Sequence, residues 1–271
     1  MIAVVLATLV LSIILCGAYL RLALRWRLLD APNERCSRRA PTPHGGGVRL
    51  MLALAAGLVL AAWSGGAWPW PYVFIAGVAG LLMLLGVVDD MRDLSSKLRF
   101  ALYGLCCLGT AVLLLAPLQG GWPLAMRLLV LLPVSLAMLW LLNLYNFMDG
   151  IDGIAALQCI LVCWSVAGLC WSDPRASHYV LFCLLLGVSH LGFLVWNWPP
   201  ARLFMGDAGS VPSGYLLAAL ALLGSVEGVL NPACWLILLA LFITDASWTL
   251  VWRAATAQAF TRPHRLHAYQ R

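Results

Sequence analysis

One short segment of this sequence crowds three carboxylates together at the end of a long apolar run. It reads Asp89-Asp90-Met91-Arg92-Asp93, and it puts these carboxylates within five residues. Like charges this close repel one another, so they are expected to share a cation. Carboxylate oxygens suit magnesium. The segment therefore predicts a magnesium (Mg2+) site, with manganese (Mn2+) as an alternative metal.

A second polar segment, residues 143–153, joins two amides and two carboxylates to another apolar run. Its polar members and glycines are Asn143, Asn146, Asp149, Asp152, Gly150 and Gly153. Charged groups at membrane depth cost a few kcal/mol each, so they indicate function unless they lie at the aqueous edge. The glycines let the backbone turn and approach a ligand closely. A plain polar loop between two membrane spans is the alternative interpretation.

Three further segments have the composition of phosphate-binding loops. Residues 41–47 end in three glycines, whose N–H groups suit phosphate oxygens, although a flexible hinge explains them equally well. Residues 204–210 hold Asp207 between glycines before a predicted helix, whose N-terminus favours phosphate. The tail 262–271 contains His264, His267 and three arginines, a set suited to a diphosphate.

The elements that must position these loops are membrane helices. The chain has 271 residues, of which 63% are hydrophobic and only 10% are charged, where a globular protein has about a quarter charged. Runs of about 20 apolar residues cross a bilayer. Nine helices are predicted, at about 2–24, 48–64, 71–88, 100–117, 127–142, 154–171, 178–196, 211–226 and 232–252. The expected fold is an all-α polytopic membrane bundle in a single domain, 1–271.

The distribution of positive charge predicts the orientation. With the N-terminus outside, 15 of the 17 Lys and Arg residues fall on one side of the membrane, and only Arg127 and Arg175 on the other. The positive-inside rule makes the first side, with the C-terminal tail, the cytoplasm. The arginines thus flank spans, and no nucleic acid is expected as a partner. Asp245 lies within the ninth predicted span, where a structural hydrogen bond and a catalytic role are both open.

Acidic loops, glycines and a histidine tail on one face predict phosphoryl transfer on a nucleoside diphosphate substrate at the membrane surface. Such chemistry needs positioning and charge neutralisation more than covalent machinery. An ATP-driven pump is disfavoured because the sequence has no Gly-x-x-x-x-Gly-Lys-Ser/Thr loop. A cation- or proton-coupled transporter is the main alternative, but transporters bind near the bilayer midplane. A catalytically inactive scaffold is a third interpretation.

The segments at 41–47, 89–93, 143–153, 204–210 and 264–267, in this order, resemble the polyprenyl-phosphate N-acetylhexosamine-1-phosphate transferases, a glycosyltransferase 4-like family. The resemblance implies transfer of a sugar 1-phosphate from a UDP-N-acetylhexosamine to undecaprenyl phosphate, with release of UMP, at the bacterial inner membrane. It implies magnesium as cofactor, membrane lipid around the protein and a homodimer as one assembly. The tail is similar to the branch that initiates O-antigen or other surface polysaccharides. It lacks the triple histidine of the muramoyl-pentapeptide transferases.

The resemblance also implies roles for individual residues. Asp89 and Asp90 match the catalytic acidic pair, and Asp207 with Asp89 would bind the metal. The substrate-binding positions would be Asn143, Asn146, Asp149, Asp152, Asn197, Phe204, His264 and His267. Among these, Phe204 would stack on uracil, Asp152 and Asn197 would hydrogen-bond the nucleoside, and the histidines would contact the diphosphate. The family typically has ten spans, so this sequence is expected to lack a C-terminal tenth helix.

Overall fold

Ten α-helices follow one another in a computed structural model that describes residues 1–26, 42–92 and 94–255. They are α1 Ile2–Trp26, α2 Gly46–Gly65, α3 Trp70–Arg92, α4 Ser96–Leu115, α5 Leu124–Met148, α6 Ile154–Cys170, α7 Ser177–Asn197, α8 Asp207–Val226, α9 Pro232–Leu238 and α10 Ala240–Ala255. Short 3-10 turns, Ala116–Gln119 and Pro174–Ala176, precede α5 and α7. The described ranges contain no β-strand.

The helices form a membrane bundle. Seven helical segments among the described residues are long and apolar enough to cross a bilayer, and α6 is an apolar helix of 17 residues. Multiple apolar helices of this kind make the chain an integral membrane protein. The segments that contain α7 and α8 are central, because they bury 72% and 78% of their most apolar windows. The predicted polytopic helical bundle is confirmed.

Three helices carry polar residues that the sequence prediction had placed in loops. Helix α3 continues to Arg92 and includes Asp89 and Asp90. Helix α5 continues to Met148, and α8 begins at Asp207 rather than at 211. The predicted ends were wrong because they followed the end of each apolar run. Backbone hydrogen bonding continues past that point, since polar side chains find partners at the end of the bundle.

The predicted ninth helix, 232–252, is interrupted. Its residues form α9 and α10, which are separated at Leu239. The Gln158 side chain on α6 donates from Nε2 to the Leu238 carbonyl oxygen at 2.8 Å, and it thereby satisfies a carbonyl next to the break. No proline or glycine lies at this point, so the sequence favoured one continuous helix. Asp245 lies on α10, and its role stays open.

Candidate active site

Asp89 is a buried carboxylate whose negative charge is balanced by a nearby arginine. The residue lies near the end of α3 and is 5% exposed. Its Oδ1 accepts a hydrogen bond from the Leu94 backbone N–H at 2.9 Å, and its Oδ2 accepts one from Arg99 Nη1 at 2.5 Å. A buried charge needs such partners. Arg99, near the start of α4, is thus the immediate counter-charge of Asp89.

The same guanidinium reaches Asp207. Arg99 Nη1 lies 3.3 Å from Oδ2 of Asp207, the first residue of α8. The backbone N–H of Asp207 in turn donates to Oδ1 of Asp90 at 3.3 Å. Helices α3, α4 and α8 therefore bring three carboxylates and one guanidinium together. We call Asp89, Asp90, Asp207 and Arg99 the acidic cluster.

The acidic cluster depends on a close approach of the α3 and α8 backbones. An ideal Cβ built on Gly86 of α3 would lie 2.5 Å from the backbone N of Ala208 and 2.7 Å from the carbonyl carbon of Asp207. No side chain larger than hydrogen fits there without a shift of the backbone. Gly86 precedes Asp89 by one helical turn. It thereby lets the start of α8 lie directly beside the acidic end of α3.

The glycine-rich start of α2 is hydrogen-bonded to the segment before α8. The N–H groups of Gly46 and Gly47 donate to the carbonyl oxygens of Phe204 and Met205, both at 2.9 Å. The Phe204 N–H donates to the Pro43 carbonyl oxygen at 3.0 Å. These two glycine N–H groups are therefore not free for phosphate, and that part of the sequence interpretation was wrong. The Phe204 ring lies beside the imidazole of His44, with a centroid distance of 5.2 Å.

The amides of α5 have different surroundings. Asn146 Oδ1 accepts a 2.5 Å hydrogen bond from the Ser210 hydroxyl, which joins α5 to the first turn of α8. Asn143 instead donates from Nδ2 to the Leu139 carbonyl oxygen of its own helix at 2.8 Å. Asp149 follows α5, where burial raises the pKa of its carboxyl well above the ordinary value and the charge of Asp207 raises it further. Asn146 and Asp149 therefore belong to the surroundings of Asp207.

Asp152 and Asn197 hold two loops together. The Asn197 side chain, 3% exposed, accepts from the Gly153 N–H at 2.8 Å and donates to the Leu203 carbonyl oxygen at 2.9 Å. Asp152 Oδ2 accepts from the Ala201 N–H at 3.1 Å. Both side chains thus join residues 149–153 to residues 198–206, which contain Phe204. Their hydrogen bonds to a nucleoside stay a prediction. His264 and His267 lie outside the described residues.

The sequence pattern of glycosyl transferase family 4 matches residues 71–225, which is more than half of the chain and includes the whole acidic cluster. The chain belongs to glycosyl transferase family 4. The family resemblance inferred from the five segments is thereby confirmed.

Curated relatives of this glycosyl transferase carry related names. A probable undecaprenyl-phosphate N-acetylglucosaminyl 1-phosphate transferase of Bacillus subtilis is 27% identical over 93% of this chain and 71% of its own length. A decaprenyl-phosphate N-acetylglucosaminephosphotransferase of Mycolicibacterium smegmatis is 27% identical over 92% of this chain and 70% of its own. A phospho-N-acetylmuramoyl-pentapeptide-transferase of Lactiplantibacillus plantarum is 32% identical over 69% of this chain and 62% of its own.

The acidic cluster of this family 4 glycosyl transferase fits a divalent cation in its chemistry. Among the side chains that the structure describes, no three His, Cys, Asp or Glu groups stand in an arrangement that would hold a metal ion. Instead, a cationic guanidinium interacts with both Asp89 and Asp207. Carboxylates that already share a positive group have the charge and the hard oxygen atoms that magnesium prefers. The predicted magnesium site stays a prediction.

Sequence reasoning overlooked several residues of this site. Arg99 was counted only among the positive charges that flank spans, and Ser210 only as a residue before a helix. The position of Arg99 in the loop and helix start that follow Asp89 and Asp90 was the available signal.

Proposed function

We propose that this protein transfers an N-acetylhexosamine 1-phosphate from a UDP-sugar to undecaprenyl phosphate and releases UMP. The observation that carries the proposal is the convergence of Asp89, Asp90 and Asp207 at the ends of α3 and α8. Family membership supports it, since relatives are named for polyprenyl-phosphate N-acetylglucosamine phosphate transfer. A transporter would place its site near the midplane. Carboxylates gathered at helix ends favour the transferase.

The electrostatics of the acidic cluster suit a diphosphate only when a metal is bound, because three carboxylates repel a phosphate. Asp89 and Asp207, whose carboxylates already share the Arg99 guanidinium, would hold magnesium or, as an alternative, manganese. When bound, the metal neutralises the diphosphate and the charge that develops on the leaving UMP. The residues around it act by positioning.

The two neighbouring carboxylates have different surroundings, and so we assign them different roles. Asp89 is 5% exposed and both its oxygens accept hydrogen bonds, so it is held in place. Asp90 is exposed at the end of the bundle, and its carboxylate accepts hydrogen bonds from the backbone N–H groups of Asp207 and Ala208. Asp90 is therefore the better general base. It takes the proton of the lipid phosphate, whose oxygen attacks the β-phosphorus in line as the bond from that phosphorus to the UMP oxygen breaks.

The donor nucleoside would lie beside residues 198–206. Phe204 is half-buried next to His44 and offers a ring for uracil to stack on. Asp152 and Asn197 fix this loop through backbone hydrogen bonds, so part of their role in binding is to position Phe204. Asn143, Asn146 and Asp149 complete the substrate pocket, with His264 and His267 of the tail at the diphosphate. The lipid phosphate would approach from the bilayer.

The site end of the bundle would face the cytoplasm of a bacterial inner membrane, with the N-terminus outside, since Lys and Arg residues concentrate on that side. The product lipid would initiate an O-antigen or a related envelope glycan. The N-acetylglucosamine named in two relatives makes UDP-N-acetylglucosamine the first donor to test. A muramoyl-pentapeptide donor is the second, because a relative named for that substrate is 32% identical.

The proposal is tested with purified protein, undecaprenyl phosphate, magnesium and a panel of UDP-N-acetylhexosamines and UDP-N-acetylmuramoyl-pentapeptide, each radiolabelled in the sugar. We expect labelled lipid with one UDP-N-acetylhexosamine and its loss on addition of EDTA. The Asp207→Asn variant should give no labelled lipid, whereas Asp173→Asn, in the loop before α7, should match the wild type. Labelled lipid from the muramoyl donor alone would overturn the donor assignment. No labelled lipid with any donor would overturn the transfer.

A further inference from the structure

Tyr103 is a buried tyrosine whose hydroxyl has no hydrogen-bond partner. The residue lies on α4 one turn after Arg99 and is 3% exposed. Nothing in the described part of the chain makes a hydrogen bond to its hydroxyl oxygen. A buried hydroxyl without a partner is unfavourable, so its presence calls for an explanation, such as a group that it contacts in another state of the protein.

The other tyrosines in the described ranges show that this is unusual here. Their hydroxyl partners are His44 O for Tyr19, Glu227 for Tyr72, Ala155 O for Tyr145, Leu220 O for Tyr179 and Thr110 for Tyr215. A buried tyrosine hydroxyl normally has such a partner. Tyr103 therefore differs from five tyrosines of the same fold.

The surroundings of Tyr103 are the acidic cluster itself. The charges that act on its hydroxyl are those of Asp207, Asp89, Arg99 and Asp90. Positions 99 and 103 lie on one face of α4, the face from which Arg99 contacts Asp89 and Asp207. The hydroxyl is thus a buried donor without a partner, on a residue that shares a face of α4 with the arginine of the acidic cluster.

We infer that Tyr103 is a positioning residue, whose hydroxyl donates a hydrogen bond to the Asp207 carboxylate when Asp207 binds a divalent cation instead of Arg99. The inference rests on the proposed function. Asp207 Oδ2 lies 3.3 Å from Arg99 Nη1, and this contact would be lost when Arg99 withdraws. Carboxylates that bind metals are themselves hydrogen-bonded, and these bonds fix their orientation. Tyr103 supplies that bond.

The Tyr103→Phe variant separates a positioning role from a purely structural one. This substitution keeps the ring and removes only the hydroxyl. Since that hydroxyl has no partner without the cation, its removal should leave the melting temperature of the cation-free protein unchanged or slightly higher. It should nevertheless weaken cation binding by about 10- to 100-fold, as loss of a group that orients a metal ligand does.

The experiment compares the wild type, Tyr103→Phe and the control Tyr215→Phe as purified full chains in detergent. Binding of Mn2+ is followed by electron paramagnetic resonance, and the Mg2+-induced rise in melting temperature is measured in parallel. Tyr215→Phe loses its hydrogen bond to Thr110 in the bundle interior, so it should melt lower and bind the cation normally. Tyr103→Phe should show the reverse pattern.

A second pair of variants covers the case in which Tyr103→Phe does not fold. Tyr103→Gln and Tyr103→Leu both lose the ring, but only the glutamine keeps a donor. The inference requires tighter Mn2+ binding by the glutamine variant. Equal affinities in this pair, or wild-type affinity in Tyr103→Phe, would overturn it and leave the proposed function intact. A wild type that binds no cation would overturn the proposed metal site, and this inference with it.

Discussion

Arg99 donates a 2.5 Å hydrogen bond to the carboxylate of Asp89, a residue that is only 5% exposed. The guanidinium acts as a built-in cation for the acidic cluster, because it also lies 3.3 Å from Asp207. It places one positive charge among three close carboxylates and reduces their mutual repulsion. The proposed divalent cation would have to compete with Arg99 for the same two carboxylates.

The first prediction concerns the carboxylates at the helix ends. Asp90→Asn removes the proposed base and Asp207→Asn removes a proposed metal ligand, so each should lower the transfer rate by at least about 100-fold. Rates are measured on purified protein, with circular dichroism to verify the helices. Asp173→Asn, whose carboxylate pairs with Arg175 outside the acidic cluster, is the control. Wild-type rates in both active-site variants would refute the assigned roles.

The second prediction concerns Arg99. Arg99→Met leaves the buried Asp89 charge without its guanidinium, so the cation-free protein should be less stable by about 1 to 3 kcal/mol. Magnesium should then raise the melting temperature of this variant more than that of the wild type. Arg127→Met is the matched control, since Arg127 is exposed and, within the described residues, bonds to the backbone carbonyl oxygen of Trp122 alone. An equal magnesium effect in all three proteins would mean that Arg99 and the cation do not compete.

The third prediction concerns the contact between α3 and α8. Gly86→Ala puts a methyl group 2.5 Å from the Ala208 backbone N, so the helices have to separate. We expect a loss of about 1 to 3 kcal/mol in stability, as overpacking typically gives, and a large loss of activity. Gly80→Ala on the same helix meets nothing within 4 Å, so it should be harmless. The melting temperatures and transfer rates of both variants test this prediction. Equal melting temperatures and equal rates in the two variants would contradict the close contact between α3 and α8.

The membrane fold and the acidic residues of the site could be predicted from the sequence. Apolar runs indicate spans directly, and carboxylates beside them stand out because they are costly there. The same reasoning placed Asp89, Asp90 and Asp207 on one side of the membrane. Helix ends were less predictable, because hydrogen bonding rather than hydrophobicity decides where a helix such as α5 stops.

The partners within the site could not be predicted. Arg99 and Asp207 are 108 residues apart in the chain, and no local sequence pattern predicts their contact. Gly86 looks like any glycine in an apolar run, and its importance depends on Ala208 lying against it. The N–H groups of Gly46 and Gly47 bind carbonyl oxygens of residues 204 and 205 instead of an anion. Tertiary neighbours decide the role of each of these groups.

The fourth prediction concerns the nucleoside pocket. Phe204→Ala should weaken inhibition by UMP by about 10-fold or more, because stacking on a base contributes about 1 to 3 kcal/mol. UMP inhibition constants of purified variants test this. Phe100→Ala, at a position 56% exposed on α4, is the control and should keep the wild-type constant. An unchanged constant in Phe204→Ala would limit Phe204 to packing against His44.

The central claim is that the sugar moves together with its phosphate, and a donor labelled with 32P at the β-phosphorus tests it directly. Purified protein is incubated with this UDP-N-acetylglucosamine, undecaprenyl phosphate and magnesium. Lipid and nucleotide products are then separated. Our account predicts 32P in the lipid and unlabelled UMP in equal amounts, both lost in Asp207→Asn. Unlabelled glycolipid with 32P in UDP would show simple glycosyl transfer and would contradict the account.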